Sequence, residues 1–381
     1  MEARMKSINQ KLHSIPLSAV FILAVFSLIS ISCAQSPVFF EISKETEPKV
    51  PTIKGSPSKL VQWNNAMYTA NGSLWKFDGT AWTIPAGAPS DVRDIAATTN
   101  GSGGALYALS ISSSSGLATT LRKTTDGINW VEVVKGVSGY ANCSTIYGAG
   151  SALFVGAGNS GNDDWAILYD DNNTLKSVKT NMGADKILRG AALAGSTYYL
   201  AVSGIGIYHG ASAASAVNLV SGTADAKYQL NGLIAVGGKF TAVGKGGHLL
   251  IGDSAGTTEH DYSTDYKFTG ALAAYSAPGA TVPDLLLAGI EKGSTGLIFG
   301  YREIALTSGA LPSAKPDLRE PGTATPSTLR DTPKYAASMG KQPVQHLFQF
   351  QPPAAAARIL FGSTVTNGLW SYRNDEWNAE N

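Results

Sequence analysis

An apolar tetrad recurs along this chain: MYTA from Met67, LYAL from Leu106, LFVG from Leu153, YLAV from Tyr199, FTAV from Phe240, LLLA from Leu285 and ILFG from Ile359. The first six are spaced by roughly 40–47 residues, a period at which each repeat is one supersecondary unit that cannot bury its apolar surface alone. After each tetrad comes a Gly- or Ser-rich turn and a second strand-like run, such as SLWKFDG, TLRKTTDG, HLLIGDS or GLWSYRND. A third run precedes it, as in VRDIAAT, ILRGAALAG and LNGLIAVGG, and a more polar fourth often follows, as in INWVEVV and LKSVKT. Four short strands per unit with turn signals between them make an antiparallel meander. Outside the first 32 residues no segment carries a long 3.6-residue apolar period, so helix is nearly absent.

Seven such units from about Ser58 to the C-terminus predict an all-β fold, a seven-bladed β-propeller of four-stranded antiparallel blades. A two-sheet sandwich is the alternative; one common period over seven units favours the ring. The phrase LWKFDGTAW at 74–82 returns as LWSYRNDEW at 369–377. As third-to-fourth-strand hairpins of the first and last blades, the two become neighbours once the ring closes. Closure needs a seal, and the strand-like Val38–Ile42 of PVFFEIS is expected to pair with the last blade and provide it; the alternative is that this run is only tether.

Residues 1–32 read as an export signal: Arg4, Lys6 and Lys11 precede the apolar run LSAVFILAVFSLISI, with small residues at its end. The run is too short for a confident membrane span, which takes about 20 apolar residues. Cys33, directly after Ser32, resembles a bacterial lipobox, whose cysteine is lipidated and becomes the new N-terminus; Ser30 stands where that motif carries an aliphatic residue. Ordinary cleavage near Ala34 is the alternative. Residues 33–57 then form the tether, and 58–381 the propeller.

Removing residues 1–32 takes Arg4, Lys6, Lys11 and Glu2 away from 29 basic and 28 acidic residues, leaving a net charge near −1. That argues against nucleic acid and against a polybasic grip on membranes. The other cysteine of the two, Cys143, lies among small and apolar residues and reads as a buried inert thiol.

The segment TTDGINW at 124–130 resembles the Asp-box hairpin of sialidase-like propellers, with Gly127 directly after Asp126 and Asn129 in the usual Thr position. In that family the Asp caps the turn and the Trp packs between sheets, a structural role. Through such degenerate motifs most of the mature chain resembles a bacterial β-propeller lipoprotein. The resemblance implies a cell-envelope localisation.

No catalytic set stands out. Arg93 and Arg189 fall on innermost strands and are candidates for the central channel, but the third arginine that sialidase-like enzymes need is not evident. The histidines lack metal-ligand spacing, and EHDYSTD at 259–265, which could hold a cation, fits a solvated outer edge better. VGKGGHLLIG at 243–252 is followed by a strand rather than a helix, so its glycines are turn residues and not a phosphate loop. We therefore expect no enzyme, no cofactor and no metal.

Residues 309–345 hold six of the 17 prolines and interrupt the period. This insertion should join the sixth blade to the seventh and could lie across the channel mouth; a plain surface insertion is the alternative. The candidate binding surface is Trp165 with Asp163 and Asp164, together with Arg319 and Arg330 of the insertion. The expected function is a monomeric, lipid-anchored scaffold that binds an envelope or surface protein. A glycan-binding or sialidase-like use of the channel is the alternative.

Overall fold

An apolar run stays buried along its whole length only where a strand is covered on both faces, and each tetrad lies in such a strand. In the computed structural model the described residues are 52–99, 103–111, 119–224, 226–277, 279–291, 299–319, 342–353, 358–373 and 376–380. Cys33, the run Val38–Ile42 and Arg330 lie outside them, as does most of the insertion. The described residues fall within one compact unit, Val50–Asn381. Among them there is no α-helix, only two short 3₁₀ turns at Ala213–Ser215 and Ala226–Tyr228.

The first sheet is eight-stranded and contains β1 (Val61–Trp63), β2 (Ala66–Ala70), β3 (Gly72–Phe77), β4 (Trp82–Thr83), β5 (Ser90–Thr98), β6 (Ala105–Ile111), β7 (Thr119–Thr124) and β8 (Val131–Glu132). Its two sets of four are joined only where Gly72 and Ser73 pair with Val92 and Ser90. Three four-stranded sheets follow. They are β9 (Asn142–Ala149) to β12 (Thr174–Lys179) through β10 (Ala152–Gly158) and β11 (Trp165–Asp171); β13 (Leu188–Ala194) to β16 (Asn218–Leu219) through β14 (Thr197–Val202) and β15 (Gly206–Gly210); and β17 (Leu230–Val236) to β20 (Gly256–Asp261) through β18 (Lys239–Gly244) and β19 (His248–Asp253). A three-stranded sheet holds β21 (Lys267–Tyr275), β22 (Leu285–Glu291) and β23 (Phe299–Ala305). The last has β24 (Val344–Phe350), β25 (Ile359–Thr364), β26 (Leu369–Arg373) and β27 (Glu376–Ala379). Every strand pair is antiparallel and, apart from β3 with β5, joins sequence neighbours, so the topology is a series of meanders.

The tetrads occupy β2, β6, β10, β14, β18, β22 and β25, the second strand of each set. Their burial is continuous: Leu285, Leu286, Leu287 and Ala288 all have 0% exposure. The two faces are covered by different neighbours. One cluster packs Leu109 and Leu121 against Leu153 and Leu168, and the next packs Phe154 and Ile167 against Leu200 and Tyr208. The pattern continues set by set until Phe350, Phe361 and Leu369 of the final sheet meet Met67, Phe77 and Trp82 of the first. The cycle of cores closes on itself.

The join is made by chain that the sequence reading assigned to the tether. Thr52 donates to the Glu380 carbonyl at 2.8 Å, while Leu369 and Gly368 donate to the carbonyls of Ile53 and Gly55, each at 3.0 Å. Ile53 is wholly buried in the closing cluster. Trp82 Nε1 donates to Glu380 Oε2 at 2.5 Å, and Ser371 and Arg373 also bind that carboxylate. The two repeated phrases meet here, with the Arg373 guanidinium 5.2 Å from the Phe77 ring.

The described start of the insertion packs on the outside of the fold. Leu311 and Leu318 cover the cluster between β17–β20 and β21–β23, and Arg319 makes a two-way backbone bridge to Glu303, both bonds at 2.9 Å. Tyr262 donates to the Pro316 carbonyl at 2.5 Å. A three-stranded sheet leaves β23 with an open edge, and this segment covers part of it.

Candidate functional site

The first strands of the sets surround a cavity of about 830 Å³. Its wall includes the consecutive residues Ile95–Ala97, Leu230–Ile234, Thr269–Leu272 and Gln345–Phe348. A strand seen face-on would offer alternate residues. Consecutive ones mean that each strand turns its open backbone edge toward the cavity.

A β-bulge interrupts the inner strand in set after set. The register shifts between Val92 and Asp94, Leu188 and Gly190, Leu230 and Gly232, Phe268 and Leu272, and Val344 and His346. A bulge frees backbone groups that the ladder would otherwise satisfy. Side chains of the preceding set take them up: Thr145 Oγ1 donates to the Leu188 carbonyl at 3.1 Å, Asn231 Nδ2 to Phe268 at 2.8 Å, and Thr269 Oγ1 to Val344 at 2.5 Å. These bonds stitch one set to the next around the cavity. They also place polar residues at one level of its wall, among them Arg189, Asn231, Thr269 and Gln345.

Of the two candidate channel arginines, Arg189 lines the cavity. Arg93 is the extra residue of its bulge, and its exposed side chain is not among those lining the wall. Asp94 beside it is buried, forms an ion pair with Lys59 and accepts the Ile146 amide at 3.0 Å. Lys59 also donates to the Ile146 carbonyl at 2.9 Å and stands 4.0 Å from the centre of the Tyr147 ring. Burial lowers the Lys59 pKa although Asp94 opposes the shift. Burial, then the Asp94 charge, pushes the Tyr147 hydroxyl up. Burial, aided by the Lys59 charge, holds His346 down at about 3, so it is neutral in the folded state. Arg189 and Lys245, both on the wall, form no ion pair among the described residues.

The other candidates have structural surroundings. Trp165 is buried, at 8% exposure, rather than displayed. Asp164 accepts from the Tyr140 hydroxyl and, at 2.8 Å, from the Gly183 amide, which together hold it below the usual carboxylate range. Asp163 accepts from Asn159 Nδ2 at 2.5 Å within its own loop. Arg319 serves through its backbone on β23, and none of residues 309–319 lines the cavity. Cys143 is buried, and burial pushes its thiol up.

Asp126 caps the turn between β7 and β8, accepting from the amides of Ile128 and Asn129, each at 2.8 Å, while Trp130 packs against the cluster shared by the first two sets. Asp78 does the same between β3 and β4, accepting from Thr80 Oγ1 at 2.7 Å, Thr80 N at 2.8 Å and Ala81 N at 3.1 Å. Those bonds lower its pKa to about 2.

The stretch 259–265 contributes Glu259 and Asp261 to one face of β20, and they meet His248 of β19, not His260. Strand alternation sends His260 to the opposite face, where it is 5% exposed. His248 and Lys59 are residues that sequence reasoning missed. Pairing the hairpin HLLIGDSAGTTEHD in register would have put His248 opposite Asp261.

No protein-family model matches the sequence, and comparison with curated proteins gives no match. Comparison with solved structures gives likeness in fold. A GH74 enzyme of Niastella koreensis is 15% identical with a TM-score of 0.56, over 87% of this chain and 55% of that one, so the chain spans about half of that enzyme. YCF48, solved bound to a D1 peptide, is 10% identical with a TM-score of 0.52, over 88% of this chain and 95% of that one. Both neighbours are β-propellers, and the likeness identifies this chain's fold as that of a β-propeller.

Proposed function

We propose that the chain is a seven-bladed β-propeller that binds a protein partner at its central channel, without catalysing a reaction, and is held at the cell envelope by lipid on Cys33. The blade count rests on reading the eight-stranded sheet as two blades. Each half has its own tetrad strand and its own pair of flanking cores, and only two residue pairs join them. Arg319 supplies a rudimentary fourth strand for the three-stranded blade. On this reading the hairpins capped by Asp78 and Asp126 are degenerate Asp-box turns.

The cavity wall carries the functional reading. It combines open backbone edges with Arg189 and Lys245, cations that no carboxylate among the described residues offsets. An extended peptide segment with acidic side chains or a C-terminal carboxylate satisfies both, through main-chain hydrogen bonds and charge. YCF48, a propeller of similar fold solved with a bound peptide, supports a peptide as the ligand class. The GH74 neighbour raises the glycan alternative. Glycoside hydrolysis needs a pair of carboxylates flanking the bond, whereas no carboxylate among the described residues lines this wall, and Asp94, which pairs with the wall's Lys59, also accepts from a backbone amide.

Photo-crosslinking in native envelope tests the reading. A crosslinker at position 345, on the wall, should capture one protein partner, and one at Val134, exposed on the outside, should not. Equal capture from both positions would remove the channel as the site. Cys33→Ala should release the domain from the detergent phase; partitioning that persists would remove the lipid anchor.

A further inference from the structure

Glu259 and Asp261 lie on the same face of β20, and His248 stands directly across from Asp261 on β19. His248 Nδ1 is 2.9 Å from Glu259 Oε1 and 3.8 Å from Asp261 Oδ1. The imidazole keeps only 7% of its surface, and despite the 2.9 Å approach its Nδ1 makes no hydrogen bond. A buried ring nitrogen aimed at two carboxylate oxygens without a hydrogen bond is a costly arrangement unless a positive centre sits between them.

We propose that His248, Glu259 and Asp261 form a binding site for one divalent transition-metal cation at the outer edge of the β17–β20 sheet. One imidazole nitrogen with two carboxylates suits a borderline cation such as zinc or cobalt, with water completing the shell. Metal–nitrogen and metal–oxygen bonds near 2.1 Å place donor atoms about 3–3.5 Å apart, close to the spacing here. Asp261, 59% exposed, has room to close in.

The surroundings hold the ligands. Lys227 and the Tyr228 hydroxyl bind Glu259 Oε2 at 3.1 and 3.0 Å, which leaves Oε1 turned toward His248. Such outer contacts orient a carboxylate for coordination. Lys227 offsets one of the two negative charges. Lys315 donates to the Asp261 carbonyl and rests 4.5 Å from the centre of the Tyr262 ring. A bound cation would tie the turn at 226–228, which enters this blade, to the blade's outermost strand.

The test uses the full chain, stripped with chelator and titrated with Co²⁺, whose visible absorption reports nitrogen and oxygen ligands. One equivalent should bind, Zn²⁺ should displace it, and metal should raise the melting temperature. Asp261→Asn, at an exposed position that folding does not need, and Glu259→Gln should each weaken binding at least about tenfold. His248→Ala should abolish it, and His209→Ala should leave it unchanged. Failure of the wild type to bind one saturable equivalent would overturn the proposal, as would binding that survives all three ligand substitutions in chains folded by circular dichroism.

Discussion

Replacing Ile53 by Ala should destabilise the whole domain, although Ile53 precedes the first strand. Its side chain has 0% exposure and packs in the cluster that contains Met67, Phe77 and Trp82 of the first blade and Phe350, Phe361 and Leu369 of the last. The substitution removes three carbons, about 2.5 kcal/mol at ~0.8 kcal/mol per buried methylene. The cavity left between rigid aromatic rings brings the loss to about 3–4 kcal/mol. For a domain of this size that lowers the melting temperature by about 4–6 °C, measured by differential scanning calorimetry. Val134→Ala, at an exposed apolar position, is the control and should change stability by no more than about 0.5 kcal/mol. An Ile53→Ala loss below about 1 kcal/mol would refute the reasoning: residues 52–55 would then be tether, and the ring would close without them.

Two further perturbations probe the channel. Lys59→Met leaves the Asp94 carboxylate without its ion-pair partner and should cost about 3 kcal/mol in urea unfolding, while Lys59→Met with Asp94→Leu should regain most of it; a single substitution costing under about 1 kcal/mol would show the pair to be incidental. The second concerns pH. His346 titrates at about 3 when folded, below its ordinary value of 6.5. Below pH 6.5 the unfolded chain therefore binds a proton that the folded one refuses, so stability falls as pH drops through that window, by about 1.4 kcal/mol per pH unit and about 2 kcal/mol by pH 5. His346→Gln should flatten the profile between pH 6.5 and 5; identical profiles for the two chains would contradict a neutral His346.

The tetrads were legible because a strand covered on both faces has no polar side, which makes its signal continuous and independent of register. The inner strands were legible as elements too, since VRDIAAT, ILRGAALAG and LNGLIAVGG are β5, β13 and β17. Which of their side chains reach the cavity was not, because a bulge re-aims residues and leaves no periodic mark. Arg93 and Arg189 stand at equivalent bulges, yet only Arg189 lines the cavity, and the wall also took Lys59, from a position just before β1. Outer strands were the weakest signal. β8 is only Val131–Glu132, both exposed, where sequence suggested the longer run INWVEVV. The part of the join made by Thr52–Gly55 escaped notice because it sits in a polar, proline-flanked stretch whose only large apolar side chain is Ile53. The partnership of His248 with Glu259 and Asp261 depends on cross-strand register, which a search for spacing along one strand misses.

The central claim is that the channel binds a partner segment through its uncompensated cations. Its most direct test is the equilibrium affinity of the captured segment for the wild type and for Arg189→Glu with Lys245→Glu, at low and at physiological salt. Both side chains line the cavity without an ion pair among the described residues, so the reversal should leave folding intact. The account predicts at least about a tenfold loss of affinity and a much flatter salt dependence in the variant. Unchanged affinity and an unchanged salt dependence would contradict it.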